Sequence, residues 1–121
     1  MIAEGQIVLF RFSNTTQEEG KLRPAVVLRR LPGHFDDWLV CMVSSQLHQF
    51  ISDLDEIIGY EDMDFKESGL KKPSVIRMSR LAVVEGSLLL GRLGKIDGAR
   101  LIRLKSNLCK WIKNELPSND R

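Results

Sequence analysis

Short apolar runs bounded by turn signals fill the first 96 residues, and helical spacing appears only after them. That order limits the fold more than any other feature, because runs of this length form strands while one longer amphipathic segment forms a helix. QIVLFRF (6–12) reads as the first strand and RPAVVLRR (23–30) as the second, with a polar loop over 13–21 between them. Ala25, Val26, Val27 and Leu28 are consecutive apolar residues, so the second strand is expected to be buried on both faces. LPGHFDD (31–37) carries Pro32-Gly33 and reads as a hairpin connection into a third strand, WLVCMVSS (38–45). FISDLDEII (50–58) is a weaker strand, 59–73 a loop, SVIRMSRLAVV (74–84) a stronger strand, and SLLLGRLGKI (87–96) an apolar run broken by glycines. In DGARLIRLKSNLCKWIKNEL, Leu101, Leu104, Leu108 and Ile112 follow helical spacing, Asp97 can cap the start, and Pro117 ends the helix. Several strands and one terminal helix predict a mainly β fold, a small β-barrel with a C-terminal α-helix packed against it. A length of 121 residues suits one domain, here 1–121, with a polar tail from about 115.

No run is apolar for long enough to span a bilayer, and MIAEGQIVLFRF lacks the basic start and small-residue cleavage site of a signal peptide. Cys41 and Cys109 have no metal-like spacing and sit in apolar surroundings, so both read as reduced thiols. The expectation is a cytoplasmic protein without membrane contact, metal or other cofactor. Charge is uneven along the chain. Residues 1–67 hold six Lys/Arg and twelve Asp/Glu, while 68–121 hold twelve and four, which together give the net +2. The basic half can attract phosphate or an acidic partner, or it can simply solvate a helix and loop surface.

Arg23 and Pro24 stand at the mouth of the second strand. Proline is tolerated at the first residue of a strand, where no ladder donor is missed. Arg23 is either a structural clamp, paired with Glu18 or Glu19, or an anion site; on the residues alone the clamp is the simpler reading. Successive strand residues face opposite sides, so only one of Ser44 and Ser45 can share a face with Arg23. By the same rule Arg77 and Arg80, three apart, are expected on opposite faces, with Arg77 a solvated side chain. Phe10, Phe12, Trp38 and Phe50 read as core. His48, four residues past Ser44, is either a candidate for proton transfer or an ordinary surface-loop histidine.

EGQIVLFRF, KLRPAVVL, VCMVSSQ, SGLKKPSVIRMSRL and LLLGRLGKI, in this order and at these separations, resemble the MazF/PemK family of toxins from type II toxin–antitoxin systems. The resemblance runs from Gly5 to about Ile112, and its Gly-Leu-x-x-Pro-Ser segment is the most specific part. It implies an SH3-like barrel with a C-terminal helix, a homodimer, and metal-independent, sequence-specific endoribonuclease activity on single-stranded RNA, held in check by a cognate antitoxin protein. It implies further that Arg23 is the catalytic arginine and that Ser44 stands where the family usually has a catalytic threonine. Serine keeps the hydroxyl and loses the methyl that stiffens the rotamer. Arg80 falls on a position that contacts RNA in the family. Gln46, Ser45 and His48 lie close enough in sequence to be RNA-binding candidates, Gln46 through a base edge or else as a plain loop amide.

With those residues the chemistry is attack of the RNA 2′-hydroxyl on the adjacent phosphate, the developing charge being met by the Arg23 fork. Two other readings use the same fold. One is a family member that binds RNA or a protein partner without cutting. The other is a toxin that poisons DNA gyrase through a C-terminal motif, against which the ending ELPSNDR speaks.

Overall fold

The computed structural model describes residues 1–11 and 21–115. The loop expected over 13–21, apart from Lys21, lies outside the described residues, as do Phe12 and the tail beyond Glu115. Six strands are described: β1 (Gln6–Arg11), β2 (Leu22–Arg30), β3 (Asp37–Ser44), β4 (Glu56–Ile58), β5 (Ser74–Glu85) and β6 (Leu89–Lys95). With them stand a one-turn helix α1 (Phe65–Ser68), the terminal helix α2 (Gly98–Ile112), and 3-10 turns at Leu47–Gln49 and Gly86–Leu88. The strands form one antiparallel sheet in the order β4-β5-β3-β2-β1-β6. The mainly β class and the terminal helix are as expected; the end strands β4 and β6 are not paired with each other, so the sheet stays open there.

Strand β2 is buried on both faces, as its unbroken apolar run requires. Val26 and Leu28 pack on one side with Ile7, Cys41, Ile76, Met78 and Leu104 of α2. Ala25 and Val27 pack on the other with Val8, Phe10 and Val40. Burial of Cys41 pushes its thiol up to about 12, an inert group. Helix α2 begins where its sequence says: the Asp97 carboxylate accepts from the Ala99 N–H at 3.0 Å. Leu104 is fully buried, with Leu101 and Leu108 packed beside it. The expected stripe ends there. Ile112 is exposed, like every other residue from Cys109 to Glu115, because the last turn projects beyond the core.

Two expectations are corrected in the middle of the chain. Only the end of the segment 50–58 is strand. The N–H groups of Leu54 and Asp55 both reach the Ile51 carbonyl, Asp53 adopts φ 70, and Asp55 Oδ2 accepts from Ile51 N–H at 2.9 Å. Aspartates favour such turns, and here they override the apolar pattern; Phe50, read as core, is left exposed. The 59–73 segment contains α1, which lies against β6. A side chain at Gly69, in the left-handed region at φ 77, or at Gly94 would overlap the facing backbone, so glycine is what permits the contact.

The acidic middle of the chain meets α2. Arg100, 5% exposed, donates Nε and Nη2 to the two Asp64 oxygens at 2.8 and 3.1 Å, and Nη1 to Glu56 at 2.9 Å. Arg103 donates to the same Glu56 through Nε and Nη2. Burial alone would raise the Asp64 carboxyl, but hydrogen bonds from Arg100 and from the Asp97 N–H win and hold it below the usual carboxylate range.

Candidate active site

The β2–β3 ladder begins at Ala25, opposite Met42. Pro24, the third residue of β2 rather than its first, lies just outside that ladder while pairing in register with Leu9 of β1. Its missing N–H therefore falls where β2 and β3 are parting, not at a strand start. Arg23 stands two residues before the first ladder pair on β2, and Ser44, the last residue of β3, two residues after it on β3. Both line an open groove of about 290 Å³, together with Gln46 and Arg80. Ser44 Oγ accepts from the Gln46 N–H at 3.1 Å, which folds the chain sharply after the strand. Ser45 is exposed and does not line the groove, in keeping with strand alternation. His48, on the exposed 3-10 turn, is not brought into it either.

Two groove residues escape sequence reasoning. Arg77 and Gln49 line the same groove as Arg23, and Arg77 Nη1 donates to Gln49 Oε1 at 3.4 Å. The expectation that Arg77 and Arg80 face opposite sides fails because the β3–β5 register shifts. Cys41 pairs with Leu81 but Met42 pairs with Arg77, which leaves Met78, Ser79 and Arg80 as extra residues on β5. Met78 enters the core, and the unpaired Ser79 is held by buried Asp55, whose carboxylate accepts from Ser79 N–H at 2.9 Å and Oγ–H at 3.0 Å. No local sequence signal marks this bulge, since its clamp lies 24 residues away.

No carboxylate lines the groove among the described residues. Glu18 and Glu19, the partners considered for Arg23, lie outside the described residues. Three guanidiniums, two amides and a hydroxyl thus converge on one concave surface, a set suited to binding and stabilising a phosphoryl group. Among the described residues no three His, Cys, Asp or Glu side chains cluster so as to hold a metal ion, and no helix is long and apolar enough to cross a membrane.

The profile of a family described as PemK-like, MazF-like toxin of type II toxin–antitoxin system matches residues 3–112. The chain belongs to this toxin family. Among solved structures it is similar to the Mycobacterium tuberculosis toxin MazF-mt6, at 14% identity and a TM-score of 0.65, covering 89% of this chain and 96% of that one. It is similar also to an endoribonuclease in complex with its cognate antitoxin from mycobacterial species, at 11% identity and a TM-score of 0.66, over 97% of this chain and all of that one. At such identities the likeness speaks for the fold. No curated protein sequence matches the chain significantly.

Proposed function

We propose that this toxin is an endoribonuclease that cuts single-stranded RNA at the Arg23–Ser44 end of the groove, without a metal. The observation that carries the reading is that Arg23 and Ser44 line one groove that no described carboxylate lines. In the proposed step the RNA 2′-oxygen bonds to phosphorus and the bond to the 5′-oxygen breaks. The proton lost by the 2′-oxygen is balanced by the one the 5′-oxygen gains, and the products are a 2′,3′-cyclic phosphate and a 5′-hydroxyl. Arg23 meets the charge that gathers on the phosphoryl oxygens. Because the Gln46 N–H occupies an acceptor site of Ser44 Oγ, that hydrogen bond also orients the hydroxyl, and its proton can be donated to the phosphoryl group. The backbone contact thereby replaces some of the stiffness that a threonine methyl would supply.

Gln46 and Arg80 stand where the flanking RNA would pass, Gln46 as a base-edge contact and Arg80 as a phosphate contact. The family, and a mycobacterial endoribonuclease solved in complex with its cognate antitoxin, support a cognate antitoxin partner, and the proposal seats that antitoxin over the same basic groove. A homodimer working in the cytoplasm belongs to the same proposal and rests on the family. The test is incubation of the purified protein with a long single-stranded RNA in EDTA. Cleavage that leaves a 2′,3′-cyclic phosphate is expected, with Ser44→Ala slowed about a hundredfold, the effect of losing one charge-stabilising donor worth about 3 kcal/mol. Ser45→Ala should cut normally. A 3′-hydroxyl product, strict Mg²⁺ dependence, or a larger loss in Ser45→Ala would overturn the assignment.

A further inference from the structure

The bulge in β5 places a third guanidinium in the groove, on the opposite side of β3 from Arg23. Arg77 lies opposite Met42, and Met42 shares a face of β3 with Ser44 two residues on, so Arg77 points to the same side of the sheet as Arg23 and Ser44. Strand β3 separates the two arginines. Two strand spacings set their backbones about 10 Å apart across the sheet, so the two guanidiniums can each meet a different phosphate of one strand lying in the groove.

The environment of Arg77 is built for an anion that is not part of the fold. Its Nη1 hydrogen bond goes to a neutral amide, Gln49, and is long at 3.4 Å. Its Nε is the one buried side-chain polar atom among the described residues with no hydrogen-bond partner. No described carboxylate comes within ion-pair distance of it. Buried donors are ordinarily satisfied, and this half-buried guanidinium, with its Nε shut off from water and unpartnered, lacks the acceptor its geometry suits best, a planar or tetrahedral oxyanion gripped by two N–H groups. The bulge residues are themselves fixed, because Asp55 holds Ser79 through both its N–H and its hydroxyl. Arg77 and Arg80 are therefore presented by a clamped piece of backbone rather than by a loose loop.

We infer that Arg77, oriented by Gln49, is the seat of a second phosphodiester of the bound single-stranded RNA, distinct from the one cut at Arg23 and Ser44. The inference rests on the ribonuclease reading and adds to it a contact that the alternation rule had turned to solvent. Each phosphate neutralised by a cation on a single strand contributes about 0.7 to the slope of log affinity against log salt. The contact therefore has a signature that a packing role lacks.

The experiment uses a 2′-O-methylated single-stranded RNA, which binds but cannot be cut, and measures its affinity by fluorescence anisotropy over a range of salt concentrations. Arg77→Gln should weaken binding about tenfold at low salt and reduce the salt slope by about 0.7. Arg77→Lys should keep the slope and lose part of the affinity, since charge remains while the fork is gone. Lys113→Gln, beyond the end of α2, should leave both quantities unchanged. A salt slope for Arg77→Gln equal to that of the unaltered protein overturns the inference, whether or not affinity falls. If Arg77→Gln does not fold, Arg77→Lys decides: affinity equal to that of the unaltered protein overturns the inference. If the unaltered protein neither binds this RNA nor cuts its unmethylated form, the ribonuclease reading falls and the second seat with it; cutting with an unmoved Arg77→Gln slope removes the second seat alone.

Discussion

Five arginines in this chain meet two different surroundings. Arg100 and Arg103 on α2 face Glu56, Asp62 and Asp64, and the contacts of Arg100 with Asp64 and Glu56 are short and largely shielded from water. Arg23, Arg77 and Arg80 line a groove with no described carboxylate. The contrast shows why the charge imbalance along the sequence is a poor guide to binding. Much of the acidic middle segment neutralises the basic helix that follows it, so those charges are part of the fold. The cations that line the groove come from three places on β2 and β5 and form no run in the sequence.

The comparison breaks first, if it breaks, at Arg100. Replacing it by methionine leaves Asp64 and Glu56 in place with their main partner gone, and removal of one member of a buried ion cluster costs about 3–5 kcal/mol. Urea denaturation should show that loss, while Arg103→Ala, at an exposed side chain, should cost only about 0.2–1 kcal/mol. A loss below about 1 kcal/mol for Arg100→Met would make the α2 cluster an ordinary surface pairing, and the two sets of arginines would no longer differ in kind.

A smaller effect should appear in acid. The Asp64 carboxyl is held below its usual range in the folded protein, so the unfolded chain takes up its proton first. The stability this group contributes is fully present above its unfolded value, about 3.9, and is lost as pH falls through the lower folded value. The stability gap between the unaltered protein and Asp64→Asn should therefore narrow as pH is lowered below about 4. A gap that stays constant from neutral pH into that range would mean that Asp64 acts through shape and not through its charge.

The parts of this molecule that could be read in the sequence are those decided locally. The apolar run of β2 requires burial on both faces, and Asp97 followed by leucines at helical spacing requires a capped helix with its stripe on the core. Arg23 and Ser44 could be singled out because the ordered motifs around them resemble a known family. What escaped was set by contacts between distant segments. Asp55 fastens Ser79 and thereby shifts the β3–β5 register, so a rule based on strand alternation sent Arg77 to the wrong side. The same aspartate, with Asp53, turned most of the expected strand over 50–58 into a turn. Arg100 was visible only as one more positive charge, because its partners lie 36 and 44 residues earlier in the chain.

The central claim is that the groove arginines serve a ligand and not the fold, and Arg23→Ala tests it most directly when unfolding and cleavage are followed on the same preparation. The account predicts a protein whose urea midpoint is close to that of the unaltered chain, with a stability change within about 0.5 kcal/mol, and whose RNA cleavage is reduced at least about a hundredfold. A variant that unfolds, with cleavage lost only in proportion, would place Arg23 with Arg100 as a clamp of the fold, and a folded variant that still cuts would remove it from the site.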